Sequence, residues 1–227
     1  MSVPLYILCP ACAAGLRRVT AAGVAADVPC IASFEPEPSL FALVHALKYD
    51  GMHELAPWFG AFLAASLRRF GPKPVAGSLL VPVPLHPTRE AERGFNQSAL
   101  LAAAVGRYLG LPVDTRLLLR VRATRSQARL DIADRQTNVE NAFRRAGPLP
   151  AGARILLVDD VVTSGSTAGA ALAALGCDPA RAAILCLCHA GRDTDPRSTA
   201  AAGVCVRSPI ASSLRPSASE GRCTSAS

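Results

Sequence analysis

One short segment, residues 155–167, limits what this chain can fold into more than any other part of it. Apolar and β-branched residues lead into Asp159 and Asp160, two valines follow, and a turn rich in hydroxyl groups and glycine then opens into the helical pattern of residues 167–175. This order predicts a β-strand, a tight loop and a helix. Gly165 permits a left-handed backbone in which successive N–H groups converge, and the helix adds its positive dipole end. The segment therefore predicts an anion site at the start of a helix.

The loop and the acid pair together indicate a ligand with two kinds of group. The loop offers hydroxyl donors to a phosphate, whereas two carboxylates repel phosphate and suit vicinal hydroxyls or a hydrated Mg²⁺. A ligand with both a phosphate and a diol is a sugar phosphate. The alternative is an ordinary strand-to-helix turn capped by Ser or Thr, but such a turn does not need adjacent acids. Other phosphate loops fit less well, because no Lys follows the glycine and the Gly-x-Gly-x-x-Gly pattern is missing.

The segment resembles the motif that binds phosphoribosyl pyrophosphate (PRPP) in type I phosphoribosyltransferases. The resemblance implies that Asp159 and Asp160 are the acids of the catalytic site and hold the 2′ and 3′ hydroxyls of the ribose. It also implies that a loop of five residues holds the 5′-phosphate, namely Thr163, Ser164, Gly165, Ser166 and Thr167. The same resemblance makes Mg²⁺ the expected cofactor.

Two further segments resemble the ComF family, phosphoribosyltransferase-like proteins that include factors for bacterial natural transformation. Residues 79–98 contain Val-Pro-Val-Pro-Leu-His-Pro and end in Gly-Phe-Asn-Gln-Ser. Residues 119–143 match the arginine-rich middle block of the family, from Leu-Arg-Val-Arg to Ala-Phe. With the segment 155–167, these make three blocks that follow the family's order within residues 40–188. On this resemblance the chain is identified as a member of the ComF family.

Several arginines in these blocks are candidates for binding pyrophosphate. In type I phosphoribosyltransferases the loop after the corresponding strand touches the pyrophosphate, which implies this role for His86, Arg89 and Arg93. The middle block matches the mobile flap that closes over PRPP, with Arg122 and Arg125 as its candidate cations. The alternatives are a solvated helix end laced by ion pairs for Arg89 and Arg93, and contact with a nucleic-acid backbone for the flap arginines.

The N-terminal cysteines suggest a zinc site that is incomplete. Cys9-Pro-Ala-Cys12 has the spacing of half a zinc finger, and the ComF family often carries such a finger at its N-terminus. Here Cys30 stands alone and a second pair does not follow. We therefore interpret residues 1–38 as a degenerate or truncated finger, with Cys9 and Cys12 as the candidate zinc ligands.

The composition places the chain among soluble proteins with an excess of positive charge. It has 227 residues, half of them apolar, which is enough to bury one good core. The formal net charge is +7, and 22 of the 24 basic residues are arginines, which favours bidentate contact with phosphates, although a GC-rich genome produces part of the same bias. Neither a run of roughly 20 apolar residues nor a basic export signal is present. We expect a cytoplasmic protein without membrane contacts.

Alternating strand and helix patterns predict an α/β fold, in which a parallel twisted sheet carries helices on both faces and the ligand lies at the carboxyl ends of the strands. We assign residues 1–38 to a small N-terminal module, residues 39–189 to the phosphoribosyltransferase-like domain and residues 190–227 to a tail. The tail lacks a sustained period and is expected to be disordered. Strands are expected at 78–83, 112–115, 154–159 and 182–188, and helices at 40–49, 54–70, 94–109, 131–142 and 166–175.

The leading functional hypothesis is a Mg²⁺-dependent phosphoribosyltransferase in which a nitrogen nucleophile displaces pyrophosphate from ribose C1. The acceptor is an unidentified base or amine, and candidates for the hood that reads it are Lys48, Tyr49, Phe34 and Phe41, with a solvated helix end as the alternative for the first two. A rival hypothesis is a DNA-uptake factor that binds single-stranded DNA, with a competence helicase as partner and PRPP binding regulatory or vestigial. A PRPP-responsive regulator is a third. The sequence leaves a homodimer open.

Overall fold

The computed structural model describes Leu8 and residues 13–73, 77–122 and 141–191. Its elements, in chain order, are β1 (Gly23–Ala25), β2 (Val28–Ala32), α1 (Pro38–Tyr49), α2 (Leu55–Phe70), β3 (Ser78–Pro82), α3 (Pro87–Arg93), α4 (Gln97–Leu109), β4 (Leu118–Arg120), β5 (Phe143–Arg145), β6 (Arg154–Val158), β7 (Val161–Val162), α5 (Ser166–Leu175), a 3-10 turn (Pro179–Arg181), β8 (Ala182–Cys186) and β9 (Cys188–His189).

Five strands form the central sheet in the order β1-β2-β8-β6-β3. Strands β2, β8, β6 and β3 run parallel to their neighbours, and β1 adds to β2 as an antiparallel hairpin. Parallel neighbours need crossover connections, and helices supply them: α3 and α4 lie between β3 and β6 in the chain, and α5 lies between β6 and β8. The predicted α/β fold with a mostly parallel sheet is confirmed.

Both faces of the sheet are buried, as the alternation along β6 shows. Ile155 and Leu157 point into an apolar cluster that includes the inner face of α5. Leu156 and Val158 point into a second cluster, on the opposite face, that includes α1, α2 and α4. A strand covered on both sides reads as a continuous apolar run because neither set of side chains meets water. The helices therefore cover both faces, as predicted.

Strand β3 contains a proline because one side of the strand lies at the end of the sheet. Val83 donates its N–H to the carbonyl of Val158 on the β6 side. On the other side, Leu80 forms one isolated bridge with Val113. The strand expected at residues 112–115 is thus reduced to this single bridge. Backbone groups alternate between the two sides, so the nitrogen of Pro82 faces away from β6. A missing donor at that edge leaves the ladder with β6 intact.

The N-terminal hairpin belongs to the sheet. Strands β1 and β2 are joined by Ala26 and Asp27, both with positive φ (51° and 59°), as a tight hairpin turn requires. Strand β2 then pairs in parallel with β8, where Cys30 lies opposite Ile184. The boundary that we placed at residue 38 therefore does not follow the sheet, because two of its five strands lie on the N-terminal side of that boundary.

The predicted flap lies between two strands that form their own hairpin. β4 pairs with β5 in antiparallel fashion, with Leu119 opposite Arg144, and Val121 donates its N–H to the carbonyl of Ala142. Arg145 Nη1 donates to the carbonyl of Leu175, 2.5 Å away, which fixes the hairpin to the end of α5. Most of the predicted flap and of the helix expected at 131–142 lies outside the described residues.

Two other sequence predictions fall outside the described part of the chain. These are the candidate zinc ligands Cys9 and Cys12, and nearly all of the tail, from residue 192 onward. Among the cysteines that are described, Cys30 and Cys186 are buried neighbours, with their Sγ atoms 3.7 Å apart. None of the described helices is long and apolar enough to cross a membrane.

Candidate functional site

The acid pair lies at the carboxyl end of β6, directly after its last residue. Asp159 is 9% exposed and Asp160 is 5% exposed, so both carboxyl groups are buried. Their backbone is held by the next strand, because Asp159 N–H donates to the carbonyl of Leu185 and Leu187 N–H donates to the carbonyl of Asp160. The two acids therefore occupy the edge of the sheet at which ligands of open α/β folds bind.

Each carboxylate has its own set of partners. Asp159 Oδ1 accepts hydrogen bonds from Ser98 Oγ at 3.0 Å and from the backbone N–H of Asp160 at 2.9 Å. Asp160 Oδ1 accepts a hydrogen bond from Gln97 Nε2 at 3.3 Å, and Asp160 Oδ2 forms an ion pair with Lys48 Nζ. The acid pair is thus tied to the C-terminal end of α1 and to the N-terminal end of α4.

These partners make the two carboxyl groups electrostatically unequal. Burial raises the pKa of Asp159 to about 7, and the negative charge of Asp160 acts in the same direction. Burial also acts to raise the pKa of Asp160, but the Lys48 ammonium outweighs it and holds that pKa below its usual range. Although burial opposes it, the same ion pair raises the pKa of Lys48. Around neutral pH, Asp160 therefore carries a fixed negative charge, and Asp159 can gain or lose a proton.

The residues that orient the acid pair from α4 form a short run that the sequence analysis did not single out. Asn96 caps α4, accepting from Ser98 N–H at 2.9 Å, and its Nδ2 donates to the carbonyl of Val83 at 3.0 Å. The cap thereby fixes the start of α4 against the end of β3, which aims Gln97 and Ser98 at the carboxylates. The available signal was an Asn directly before an apolar helical pattern, which is typical of a helix N-cap.

The predicted phosphate loop connects β7 to α5. Thr163 and Ser164 are exposed, Ser166 and Thr167 are partly buried, and Gly165 adopts the left-handed conformation with φ of 76°. Ser164 Oγ lies 3.0 Å from Ser166 Oγ. Within the described residues, no side chain at the N-cap position bonds to the first turn of α5, because that position is the glycine. Ser166 N–H donates to Ser164 Oγ at 3.4 Å, whereas the other N–H groups of the first turn receive no bond from the N-cap residue and are available to an anion.

The N-terminal hairpin forms one wall of this loop. A Cβ atom on Gly165 would lie 3.2 Å from Ala26 N and 3.3 Å from Ala25 Cβ. A Cβ on Gly169, one turn along α5, is only 3.3 Å from Ala26 Cβ. A larger residue at position 165 would therefore combine an unfavourable φ with crowding against the β1–β2 turn.

The predicted pyrophosphate residues have separate roles in the structure. His86 caps α3, where its Nδ1 accepts from Thr88 N–H at 3.3 Å, so its ring stabilises a helix end. Arg93 donates to Gln97 Oε1 and lies over the ring of Tyr49, 4.9 Å from its centroid. Arg89 is exposed on the same helix.

Arg122 is exposed just beyond β4, and Arg125 lies outside the described residues. The neighbouring Arg120, which was not among the selected candidates, is closer to the acid pair. It is partly buried, and its Cζ lies 5.3 Å from the ring centroid of Phe143. Burial lowers its pKa, the positive charge of Arg89 lowers it further, and Asp159 opposes both. Arg89 and Arg120 therefore repel each other across the region beside Asp159.

A cavity of about 600 Å³ opens next to the acid pair. Of the predicted hood residues, Lys48 and Tyr49 line this cavity, whereas Phe34 is buried in the core against Trp58 and Phe62, and Phe41 is partly buried against the same cluster. The full lining consists of Lys48, Tyr49, Gly51, His53, Arg89, Glu92, Arg93 and Phe95. Helices α1 and α3, with the segments that follow them, thus enclose it.

The donor groups at the site fit a Mg²⁺ ion that arrives with its ligand. Mg²⁺ takes oxygen ligands, keeps several waters and is usually held by one or two carboxylates plus phosphate oxygens. Asp159 and Asp160 offer such oxygens, but Asp160 Oδ2 already faces the Lys48 ammonium. Within the described residues, no cluster of three or more His, Cys, Asp or Glu side chains could hold a metal by itself. Zinc at Cys9 and Cys12 remains a prediction.

Comparisons with known proteins agree with this geometry. Residues 96–209 match the family model described as the phosphoribosyl transferase domain, a stretch that begins at the cap of α4 and contains the acid pair and the phosphate loop. DNA utilization protein YhgH of Salmonella typhi is 39% identical over 156 residues, which cover 67% of this chain and 68% of that protein. The YhgH protein of Escherichia coli strain K12 is 37% identical over 157 residues, with the same coverage. Competence protein F of Haemophilus influenzae is 41% identical over 91 residues, 39% of each chain.

Proposed function

Because this chain belongs to the ComF family of proteins with a phosphoribosyltransferase domain, we propose that it binds PRPP with Mg²⁺ and transfers the phosphoribosyl group to a nitrogenous acceptor, with release of pyrophosphate. The observation that carries the proposal is the continuity of the site: Asp159 and Asp160 end β6, and the loop of residues 163–167 leads directly into α5. One short segment thus brings diol acceptors and phosphate donors to the same edge of the sheet.

The loop provides the anchor for the 5′-phosphate. The backbone turns at Gly165, so the first N–H groups of α5 open at the helix end, beside the exposed Thr163 and Ser164. Ser164 Oγ, which now accepts from Ser166 N–H, would turn to the phosphate when it binds. A dianionic phosphate at this position is stabilised by the hydrogen bonds and by the helix dipole. The β1–β2 turn behind Gly165 limits how far the loop can retreat.

Binding of the ribose diol at the acid pair requires an exchange of partners. Both oxygens of Asp160 are occupied, by Gln97 and by Lys48, and Asp159 Oδ1 accepts from Ser98. A hydroxyl that donates to Asp160 therefore competes with one of these groups. The fixed negative charge on Asp160 favours that hydrogen bond, because an ionised acceptor binds a donor more strongly than a neutral one.

Guanidinium groups are the proposed partners of the pyrophosphate. Arg120 is partly buried and lies within the electrostatic influence of Asp159, so its guanidinium is the proposed partner of the pyrophosphate beside the acid pair. Bound Mg²⁺ would supply further neutralisation of the phosphate oxygens. Such preorganised cations stabilise charge that develops on a leaving group.

The transfer itself exchanges one bond for another at ribose C1. The bond from C1 to the pyrophosphate oxygen breaks, its electron pair leaves with pyrophosphate, and the acceptor nitrogen forms a bond to C1 with its lone pair. The proton of that nitrogen passes to solvent. No side chain acts as nucleophile, so this chain's residues contribute by binding, orienting and stabilising charge.

Calorimetric titration of the full chain with PRPP and Mg²⁺ tests the proposal. We expect saturable binding of the intact protein and at least about tenfold weaker binding by Asp160→Asn, which loses the charged acceptor. Asp178→Asn is the matched control, because Asp178 caps the 3-10 turn away from the site and Asn keeps that capping bond. Unchanged PRPP affinity in Asp160→Asn would overturn the assignment of the diol ligands.

The names of the relatives favour a second candidate function. The names DNA utilization protein and Competence protein F link those relatives to the use of DNA and to competence. Under this second function the chain would bind single-stranded DNA and a competence helicase, with PRPP as a regulatory ligand. The net charge of +7 agrees with contact to a polyanion. Binding of a single-stranded oligonucleotide that weakens steeply between low and moderate salt, in a protein that releases no pyrophosphate from PRPP, would favour this function over transfer.

A further inference from the structure

The cavity described above is connected to the acid pair through two side chains. Lys48 lines the cavity and forms the ion pair with Asp160. Arg93 also lines it and donates to Gln97, which in turn donates to Asp160. A ligand in the cavity would therefore lie next to the groups that hold the ribose under the proposed function.

Aromatic rings form much of the cavity wall. Tyr49 is 63% exposed, and its ring also contacts His45 and the guanidinium of Arg93. His53 and Phe95 meet edge to face, with their ring centroids 4.3 Å apart. A volume of about 600 Å³ suits a small organic ligand, and aromatic rings in the wall can pack against the face or the edge of an aromatic ligand.

The wall of the cavity carries more positively charged than negatively charged side chains. Lys48 is already neutralised by Asp160, which leaves the guanidinium groups of Arg89 and Arg93 against the single carboxylate of Glu92. The cavity therefore has an excess of positive charge, carried by the side chain that recognises carboxylates and phosphates in a bidentate manner.

We infer that this cavity binds the acceptor and that the acceptor is a flat aromatic compound that carries an anionic group. Its ring packs against Tyr49 and the pair of His53 and Phe95, and its anionic group pairs with Arg89. The role as acceptor rests on the proposed function, whereas the ring and the charge follow from the wall itself. A carboxylate and a phosphate are the two groups that this arginine would recognise.

Two pairs of probes that differ in charge test the inference on the full chain. Nicotinate and nicotinamide share a ring but differ in a carboxylate, and adenosine 5′-monophosphate and adenosine differ in a phosphate. In ligand-observed NMR titrations we expect the charged member of at least one pair to bind roughly tenfold more tightly than its neutral twin. The pair that shows the larger difference identifies the anionic group.

Three variants assign the binding to the cavity. Arg89→Gln should remove most of the preference for the charged probe, and Arg107→Gln, an exposed arginine on α4 outside the cavity, should keep it. Tyr49→Leu should weaken both members of the pair, and Tyr49→Phe should retain their binding because the ring remains. Equal affinity of charged and neutral twins, or a preference that Arg89→Gln and Tyr49→Leu leave unchanged, would overturn the inference.

A PRPP titration of the same samples separates this inference from the function on which it rests. PRPP binding without preference for a charged aromatic probe would overturn the inference and leave the proposed function intact. A charge preference that depends on Arg89, in a protein that does not bind PRPP, would overturn the acceptor role and leave an aromatic anion site of another purpose. Pyrophosphate release that occurs only when PRPP and the preferred probe are present together would support the proposed function and the inference about the acceptor.

Discussion

Lys48, near the end of α1, forms a buried ion pair with Asp160, beyond the end of β6. The chain has two lysines among its 24 basic residues, and this one occupies the centre of the candidate site. An ammonium group is compact and can sit against a buried carboxylate where a planar guanidinium would need more room. The pair joins α1 to the segment that carries the acids.

Removal of the Lys48 charge should destabilise the protein. Lys48→Met leaves Asp160 ionised and buried without its cation, which costs about 3 kcal/mol of unfolding free energy, the lower end of the range for broken buried pairs because the lysine side chain retains some exposure. Urea denaturation at neutral pH measures the change. Lys73→Met is the control, since Lys73 is exposed and its loss should stay within about 0.5 kcal/mol. Equal stability of the two variants would show that the ion pair contributes little.

The raised pKa of Asp159 predicts an unusual dependence of stability on pH. Because this pKa is about 7 in the folded protein and lower in the unfolded chain, the folded state retains a proton that the unfolded state has lost, and stability from this group falls as pH rises through 7. Asp159→Asn mimics the protonated form at every pH. Its stability relative to the parent protein should therefore improve between pH 4 and pH 8, by up to about 4 kcal/mol.

The pKa of Asp160 is shifted in the opposite direction from that of Asp159, so Asp160 provides the internal control. Its lowered pKa means that its contribution to stability is present above the ordinary carboxyl pKa and is lost as pH falls below it. Asp160→Asn should therefore be most harmful near neutral pH and least harmful in acid. Parallel pH profiles for the two Asn variants, from denaturation between about pH 2 and pH 8, would contradict the electrostatic asymmetry of the pair.

Elements with strong local patterns could be predicted from the sequence. The helix expected at residues 166–175 matches α5, and the strand expected at 154–159 matches β6 to within one residue. Both have apolar runs bounded by clear turn residues, and the resemblance supplied the role of the segment between them. The resemblance assigned His86 to pyrophosphate, which stays a prediction, and the structure adds a second role, because His86 lies directly before Pro87 and caps α3.

Contacts between distant segments could not be predicted. The parallel pairing of β2 with β8 joins short strands from opposite ends of the described chain, and a strand's own residues do not specify its neighbour. The partners of the acids, Lys48, Gln97 and Ser98, lie on two helices that only the folded sheet brings to Asp159 and Asp160. Local sequence identifies the acids, but their burial and charge depend on those helices.

Gly165 should tolerate substitution poorly for two separate reasons. Alanine at φ of 76° is strained, and its Cβ would crowd the backbone of Ala26 in the neighbouring hairpin, so Gly165→Ala should cost about 1–3 kcal/mol in unfolding free energy. Under the proposed function it should also weaken PRPP binding, because the loop would shift. Gly147→Ala is the control: its Cβ meets no atom within 4 Å and its φ is not positive. Calorimetry and denaturation of both variants measure the two effects, and equal results would remove the structural requirement for glycine at position 165.

Asn96 should contribute both to the stability of α4 and to the alignment of the acid pair. Asn96→Ala removes the cap and the bond to the carbonyl of Val83, at a cost of about 1–2 kcal/mol. Asn96→Ser keeps a neutral oxygen for the cap but loses the donor to Val83, so it should recover much of the stability and leave the start of α4 free to move. If alignment of Gln97 and Ser98 depends on that bond, the pKa of Asp159, followed by carboxyl NMR, should shift in both variants. A shift in Asn96→Ala alone would assign the alignment to the helix cap, and the absence of a shift in either variant would show that the acids are held without Asn96.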